Sequence, residues 1–192
     1  MAEYRIKYSI KERARLRRGV ISCLYVVYVR SLRMVYKMAI DIERDIVIRE
    51  FTLEDKDMVT AFFDQMIGES KAFFNRNNGN RTNAMKFFSG EAKNTIYFMA
   101  EHMKEMVGYL FLWDIDTQIP WLGIAVCEKM KGMRLGGRLM RYAESYARKN
   151  GKGGILLTTH VANLRGQSLY ESAGYRRMGI HTSGEILYLL RL

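Results

Sequence analysis

The residues best suited to chemistry lie within 121–150, where an apolar strand leads through a glycine-bearing turn into a long helix. The first turn of a helix leaves backbone N–H groups without partners, and the helix dipole adds positive potential there, so such a turn binds anions. We therefore predict a phosphate cradle for a bound cofactor. The cradle consists of Lys131, Gly132, Met133, Arg134, Leu135, Gly136 and Gly137.

A second candidate segment, residues 163–175, lies downstream of the cradle. Asn163 is a residue type that caps helix N-termini, and Tyr170 follows about two helical turns later, so the two share one face of a helix. A tyrosine phenol on that face can donate a proton to a leaving group. The alternative interpretation is a packed tyrosine whose hydroxyl has a structural partner.

Together these segments resemble the GNAT superfamily of N-acetyltransferases. The resemblance rests on the strand motif at 124–126, on the cradle and on the segment 163–175, and it covers roughly residues 45–192. It implies an α+β fold with a mixed, mostly antiparallel seven-stranded sheet flanked by helices. Two parallel strands, residues 121–127 and 154–161, would splay apart within that sheet.

The cradle departs from the family pattern at one position. That pattern is usually Gln or Arg, two residues, Gly, one residue, then Gly or Ala. Here Lys131 occupies the first position, Arg134 stands where the first glycine is expected, and Gly136 keeps the last. Arg134 can still donate its backbone N–H, but its side chain needs a route away from the pyrophosphate.

The resemblance also implies a reaction and a role for each residue. Acetyl-CoA would enter the gap between the splayed strands, and its acetyl group would pass by direct attack to a primary amine of a small molecule or a peptide N-terminus. The pantetheine arm would meet Ile124, Ala125 and Val126, the pyrophosphate would lie on the cradle amides, and Asn163 would contact the arm. Tyr170 would be the general acid for the leaving thiolate, and a backbone N–H near Val126 would polarise the thioester carbonyl.

The sequence leaves the general base open. Many relatives carry an acid or a histidine on the strand that enters the gap, whereas this chain has Pro120, Trp121 and Leu122 there, which cannot take a proton. The remaining candidates are Glu101, Asp114, Asp116, His160 and a water chain. The missing strand acid favours an alternative function, a non-catalytic CoA-binding sensor or interaction module.

The surrounding pattern predicts the elements that position these residues, in the order β-α-α-β-β-β-α-β-α-β-β. In the helix after the cradle, apolar residues recur every four positions, at Leu135, Leu139, Ala143 and Ala147, which predicts a buried stripe. Residues 68–90 combine paired phenylalanines with asparagines. That composition suits either a cover over a binding cleft or a surface helix and loop with aromatic anchors.

The charge distribution divides the chain into two parts. Of a formal net charge of +11, residues 1–41 supply the larger share, with ten Lys and Arg against three acidic residues. We therefore predict a basic N-terminal extension, residues 1–43, and an acetyltransferase-like domain, residues 44–192. The extension is either packed on the domain or poorly ordered, with an interfacial membrane contact as a third alternative, and a start at Met34 or Met38 would also explain the change in charge.

Composition limits the remaining possibilities. The two cysteines, Cys23 and Cys127, lie in apolar runs without metal-ligand spacing, so we expect no disulfide framework, no metal site and a cytoplasmic location. The apolar run at 19–29 is too short to span a bilayer, so we expect no stable membrane insertion. Nucleic-acid binding, which the extension would permit, is not expected either. The acceptor amine and homodimer formation stay open.

Overall fold

The computed structural model describes residues 40–192. The basic extension predicted for residues 1–43 lies almost wholly outside them, so the division of the chain into two parts stays a prediction. Within residues 40–192 no helix has the length and apolar character needed to cross a membrane.

The described residues form helices and strands in the predicted order, and the element boundaries differ from the predicted ones by a few residues. The strands are β1 (Val47–Glu50), β2 (Thr95–His102), β3 (Glu105–Trp113), β4 (Trp121–Val126), β5 (Gly154–Thr159), β6 (Arg176–Ile180) and β7 (Ile186–Arg191). The α-helices are α1 (Lys56–Asp64), α2 (Gly79–Phe88), α3 (Leu135–Lys149) and α4 (Leu164–Ser172). Between α1 and α2 the chain forms a π-helical turn (Ser70–Phe74) and a short 3-10 turn (Arg76–Asn78).

All seven strands belong to one sheet, in the order β1-β2-β3-β4-β5-β7-β6. Every neighbouring pair is antiparallel except β4 and β5. These two strands are parallel and are registered only where Trp121 faces Leu156. Beyond that pair they part and leave a gap, so the predicted mixed sheet with a splayed parallel pair is confirmed.

The two faces of the sheet are covered differently because side chains alternate along each strand. On one face, Tyr109 of β3 joins an aromatic cluster with Phe51, at a ring-centroid distance of 5.9 Å, and with Phe63, at 5.3 Å. On the other face, the predicted apolar stripe of α3 is buried. A Cβ at Gly108 would lie 2.9 Å from Leu139 Cδ1 and 3.0 Å from Ala100 Cβ, so a side chain there would force its neighbours to shift.

A charged cluster fixes the entry into α1. The Arg49 guanidinium contacts both oxygens of the Asp55 carboxylate at 2.7 Å and Glu101 Oε2 at 2.8 Å. Asp55, which is only 4% exposed, also accepts a hydrogen bond from the Thr52 N–H at 2.7 Å. The hydrogen bonds from Arg49 lower the pKa of Asp55 to about 2 against the opposing effect of burial.

Candidate active site

The gap between β4 and β5 opens into a cavity of about 400 Å³, here called the first cavity. It is bounded by β4, by the cradle, by the start of α4 and by the Ser70–Phe74 turn. Every site residue predicted from the sequence lines it except Met133, which is buried. The predicted residues on its wall are Ile124, Ala125, Val126, Lys131, Gly132, Arg134, Leu135, Gly136, Gly137, Asn163 and Tyr170.

The edge of β4 presents unpaired backbone groups to this cavity. The Cys127 N–H donates to the carbonyl of Val107, a residue of β3, at 3.0 Å. Because the backbone groups of successive strand residues point to opposite sides, the N–H and C=O groups of Ile124 and Val126 point away from β3 and into the gap. Such an edge can pair with an extended ligand that carries amide groups.

The cradle turns sharply before α3 begins. Gly132 and Arg134 both have left-handed backbones, with φ of 78° and 65°. The first hydrogen bond of α3 runs from the Arg138 N–H to the Arg134 carbonyl at 3.2 Å, so the N–H groups of the three residues between them precede the helical ladder. Arg134 is exposed, so its side chain lies outside the turn while its backbone takes the conformation that glycine adopts elsewhere.

The close approach of α3 and α4 explains the last glycine of the family pattern. A Cβ at Gly136 would lie 3.0 Å from Leu169 Cδ2, so a side chain there would press on α4. Gly136 therefore serves helix packing as well as access to the backbone N–H groups.

Two charged side chains at the cradle, Lys131 and Glu128, form an ion pair with each other. Lys131 Nζ lies 2.6 Å from Glu128 Oε1, and Ser70 Oγ donates to the same oxygen at 2.8 Å, which ties the Ser70–Phe74 turn to the cradle. Burial raises the pKa of Glu128, but the contacts with Lys131 and Ser70 outweigh it and lower the pKa. Arg134 and Arg165, which the sequence analysis did not select as charged ligands, also line the cavity.

Tyr170 lines the first cavity and is 8% exposed. Burial raises its pKa to about 12, the charge of Glu185 adds to the rise, and a hydrogen bond with Thr159 opposes it. The phenol is therefore protonated at neutral pH.

Asn163 connects the helix cap to this hydroxyl. Its Oδ1 accepts from the Gly166 N–H at 3.0 Å, as predicted for an N-cap, and its Nδ2 donates to Thr159 Oγ1 at 2.9 Å. Both polar atoms of the side chain thus have a structural partner. Asn163 is therefore linked to Tyr170 through the Thr159 hydroxyl, which accepts from Asn163 and is hydrogen-bonded to Tyr170.

A second cavity, of about 180 Å³, adjoins the first across Tyr170, Ile124 and the two phenylalanines of the Ser70–Phe74 turn. Its other walls include Phe111, Trp113 and Glu185. A Cβ at Gly123 would lie 2.1 Å from the Phe111 ring, so the missing side chain of β4 leaves room for that ring. Residues 68–90 therefore contribute both to a cleft, through Phe73 and Phe74, and to the core, where Phe87 packs on Phe51 at 5.7 Å.

Glu185, which directly precedes β7, was not predicted as a site residue. Thr158 Oγ1 of β5 donates to Glu185 Oε2 at 2.6 Å. No local pattern marks this residue, because only the pairing of β5 with β7 carries it to the cavity.

None of the four side chains considered as a general base lines either cavity. Glu101 is held by Arg49, as described above. Asp116 accepts from Asn94 Nδ2 at 2.9 Å in the exposed turn that also contains Asp114. His160 is exposed, stacks on Phe73 at 5.2 Å, and accepts the Ala162 N–H through Nδ1 at 3.1 Å.

Solved structures with the same fold are numerous at low sequence identity. A GNAT-family acetyltransferase from Streptococcus pneumoniae is 18% identical with a TM-score of 0.60, covering 77% of this chain and 99% of that one. The PaiA N-acetyltransferase of Thermoplasma acidophilum is 16% identical, with a TM-score of 0.60 and the same shares of coverage. The GNAT domain of PAT from S. lividans is 15% identical with a TM-score of 0.65, covering 76% of this chain and 89% of that one. At these identities the likeness establishes the fold alone.

Sequence comparison gives the family. No curated protein sequence is significantly similar to this chain. The model of the acetyltransferase (GNAT) family matches residues 57–175, which is more than half of the chain and spans the cradle, Asn163 and Tyr170. The chain therefore belongs to the acetyltransferase (GNAT) family, the enzymes that transfer an acetyl group from acetyl-CoA to amines.

Proposed function

We propose that this enzyme acetylates a primary amine of a small molecule or a peptide N-terminus by direct attack, with Tyr170 as the general acid. The observation that carries the proposal is the first cavity, where a free strand edge, the amides at the start of α3 and the Tyr170 hydroxyl come together. The Thermoplasma acidophilum structure, which was solved in complex with coenzyme A, is consistent with this assignment.

The cavity offers a separate place to each part of acetyl-CoA. The pantetheine amides pair with the backbone of Ile124 and Val126 and pass over Ala125, because an extended amide chain matches an open strand edge. The pyrophosphate accepts hydrogen bonds from the N–H groups that precede the first helical bond of α3. The Met133 N–H is already bonded to the Met130 carbonyl at 3.2 Å, so Met133 supports the cradle from the protein interior.

Asn163 has limited capacity for the pantetheine arm. Its two structural hydrogen bonds leave one N–H and one lone pair of the side-chain amide. One hydrogen bond to the arm in each direction is therefore the most that this side chain supplies.

Transfer needs a neutral amine, a polarised carbonyl and a proton for sulfur. The acceptor loses one proton before attack, its nitrogen forms a bond to the carbonyl carbon, and the C–S bond breaks. A backbone N–H near Val126 stabilises the oxyanion, and the leaving thiolate takes the proton of Tyr170. Tyr170 then regains a proton from the newly acetylated nitrogen, so the products are the amide, the CoA thiol and one proton in solution.

Tyr170→Phe tests the general acid. The variant should lower kcat by about 100-fold or more, as loss of a general acid does, and leave the KM for acetyl-CoA within about twofold. Tyr175→Phe is the matched control, because its ring lies 6.4 Å from that of Tyr170 and its buried hydroxyl has no partner among the described residues. Equal kcat values for the two variants would contradict the role of Tyr170.

A non-catalytic CoA-binding module is the second candidate, favoured by the absence of all four base candidates from both cavities. The two functions differ in turnover. Thiol release from acetyl-CoA, measured with a panel of primary amines, should exceed the rate without amine if the chain is a transferase. CoA binding without release on any amine would support the sensor.

A further inference from the structure

We infer that the second cavity is the acceptor site, that the Glu185 carboxylate binds the acceptor as its ammonium ion, and that the preferred acceptor is a monoamine with an apolar substituent. This inference rests on the proposed acetyl transfer, and it names the class of amine.

The position of the second cavity makes it suitable for an acceptor. It shares Tyr170 and Ile124 with the first cavity. A nitrogen held in it would lie near the same tyrosine that lines the first cavity. The two substrates would therefore meet at Tyr170 from opposite sides of the gap between β4 and β5.

Charge in this cavity is concentrated on one group. Among the described residues that line it, Glu185 is the only carboxylate, and no lysine or arginine lines it. Thr158 fixes the carboxylate through Oε2, while Oε1 accepts no hydrogen bond from the described residues. A half-buried carboxylate with an available oxygen attracts a cation and gives a charge-assisted hydrogen bond to its N–H groups.

Five of the other twelve residues that line this cavity are aromatic, three are aliphatic or glycine, and four are polar: Asn80, Thr158, Thr159 and Asn163. Phe111 and Trp113 stack at a centroid distance of 5.2 Å, and Phe73 and Phe74 close the side that faces the first cavity. Ring faces attract a cation and cover apolar substituents. A second positive charge on the ligand would have no second carboxylate on this wall, so contact with the rings would offset only part of the cost of removing it from water. The cavity therefore favours one ammonium group on an apolar body over a polyamine.

Tryptophan fluorescence can report on this site without turnover. The chain has two tryptophans. Trp113 lines the second cavity and Trp121 stacks on it at 5.7 Å, so a ligand in the cavity changes the surroundings of both. The experiment titrates 2-phenylethylamine, its neutral analogue 2-phenylethanol and spermidine into the full chain saturated with CoA.

The test compares wild type with Glu185→Gln and with Glu91→Gln, which removes an exposed carboxylate outside both cavities. Glu185→Gln should weaken the binding of 2-phenylethylamine by about 10- to 100-fold, which is the range for a lost hydrogen bond to a charged group. The same substitution should change the Kd for 2-phenylethanol by no more than about twofold. Glu91→Gln should bind all three ligands as wild type does. Spermidine should bind wild type about 10-fold more weakly than 2-phenylethylamine.

Three results would overturn the inference: no binding of 2-phenylethylamine to wild type, equal weakening of the amine and the alcohol by Glu185→Gln, or spermidine binding as tightly as 2-phenylethylamine. Far-UV circular dichroism of Glu185→Gln, compared with that of wild type, shows that the variant is folded before its binding is measured. Since binding is measured without chemistry, a chain that binds as expected but releases no thiol from acetyl-CoA would contradict the proposed function alone.

Discussion

Removal of the Asn163 side chain should destabilise the protein by an amount that two hydrogen bonds determine. Oδ1 accepts from the Gly166 N–H at 3.0 Å and Nδ2 donates to Thr159 Oγ1 at 2.9 Å. Asn163→Ala removes both, so the first turn of α4 loses its cap and the buried Thr159 loses a donor.

The magnitude follows from the two contributions. Loss of an N-cap side chain costs about 1 kcal/mol of unfolding free energy. Loss of the bond to Thr159 costs about another 1 kcal/mol. We therefore expect Asn163→Ala to lower the unfolding free energy by about 2 kcal/mol, and Asn163→Asp, which keeps the cap but not the amide donor, to lower it by about 1 kcal/mol.

Urea unfolding, followed by circular dichroism and by tryptophan fluorescence, measures these differences. Ser168→Ala is the control, because Ser168 is exposed on the same helix and should change the unfolding free energy by less than about 0.5 kcal/mol. If Asn163→Asp were as destabilised as Asn163→Ala, the cap would not contribute. If Asn163→Ala had the same unfolding free energy as Ser168→Ala, neither hydrogen bond of Asn163 would contribute to stability.

Two further predictions concern backbone strain and pH. Arg134→Gly should raise the unfolding free energy by about 0.5–1 kcal/mol over Arg134→Ala, because Arg134 has a φ of 65° that only glycine adopts without cost, and equal urea midpoints for the two variants would refute this. Asp55→Asn should cost about 2 kcal/mol at pH 7, because the pKa of Asp55 is lowered from 3.8 to about 2. A group with a lowered folded pKa stabilises above its unfolded pKa and loses that contribution as the pH falls. The wild type should therefore lose the contribution of Asp55 to its unfolding free energy between about pH 5 and pH 2. Measured across that range, the unfolding free energy should fall less steeply in the Asp55→Asn variant than in the wild type.

The cofactor side of the site was accessible to sequence reasoning because its signals are local. The cradle depends on glycines and helix-start residues that lie together in the chain, and the capping by Asn163 depends on the residues that directly follow it. The sequence showed an arginine at a glycine position but not the left-handed backbone that Arg134 adopts there, because an arginine does not itself indicate a positive φ. The assignment of each residue to a part of acetyl-CoA stays a proposal.

The acceptor side depends on contacts between distant segments. Glu101 was a plausible base until the structure placed it against Arg49, which lies on β1. Glu185 was invisible because it reaches Thr158 only through the antiparallel pairing of β5 with β7, in which Thr158 faces Leu187. Phe73 belongs to a π-helical turn that is tied to the cradle through Ser70 and Glu128, a contact that no periodicity predicts.

The sequence alone determined the order of the elements, the cradle and the pairing of Asn163 with Tyr170 on one helix, because capping, glycine placement and hydrophobic periodicity act over a few residues. Tertiary structure decided where β4 and β5 part, how far the two cavities extend and which carboxylate stands beside Tyr170. Strand register and helix approach settle these features, and both depend on packing between residues that are far apart in the chain.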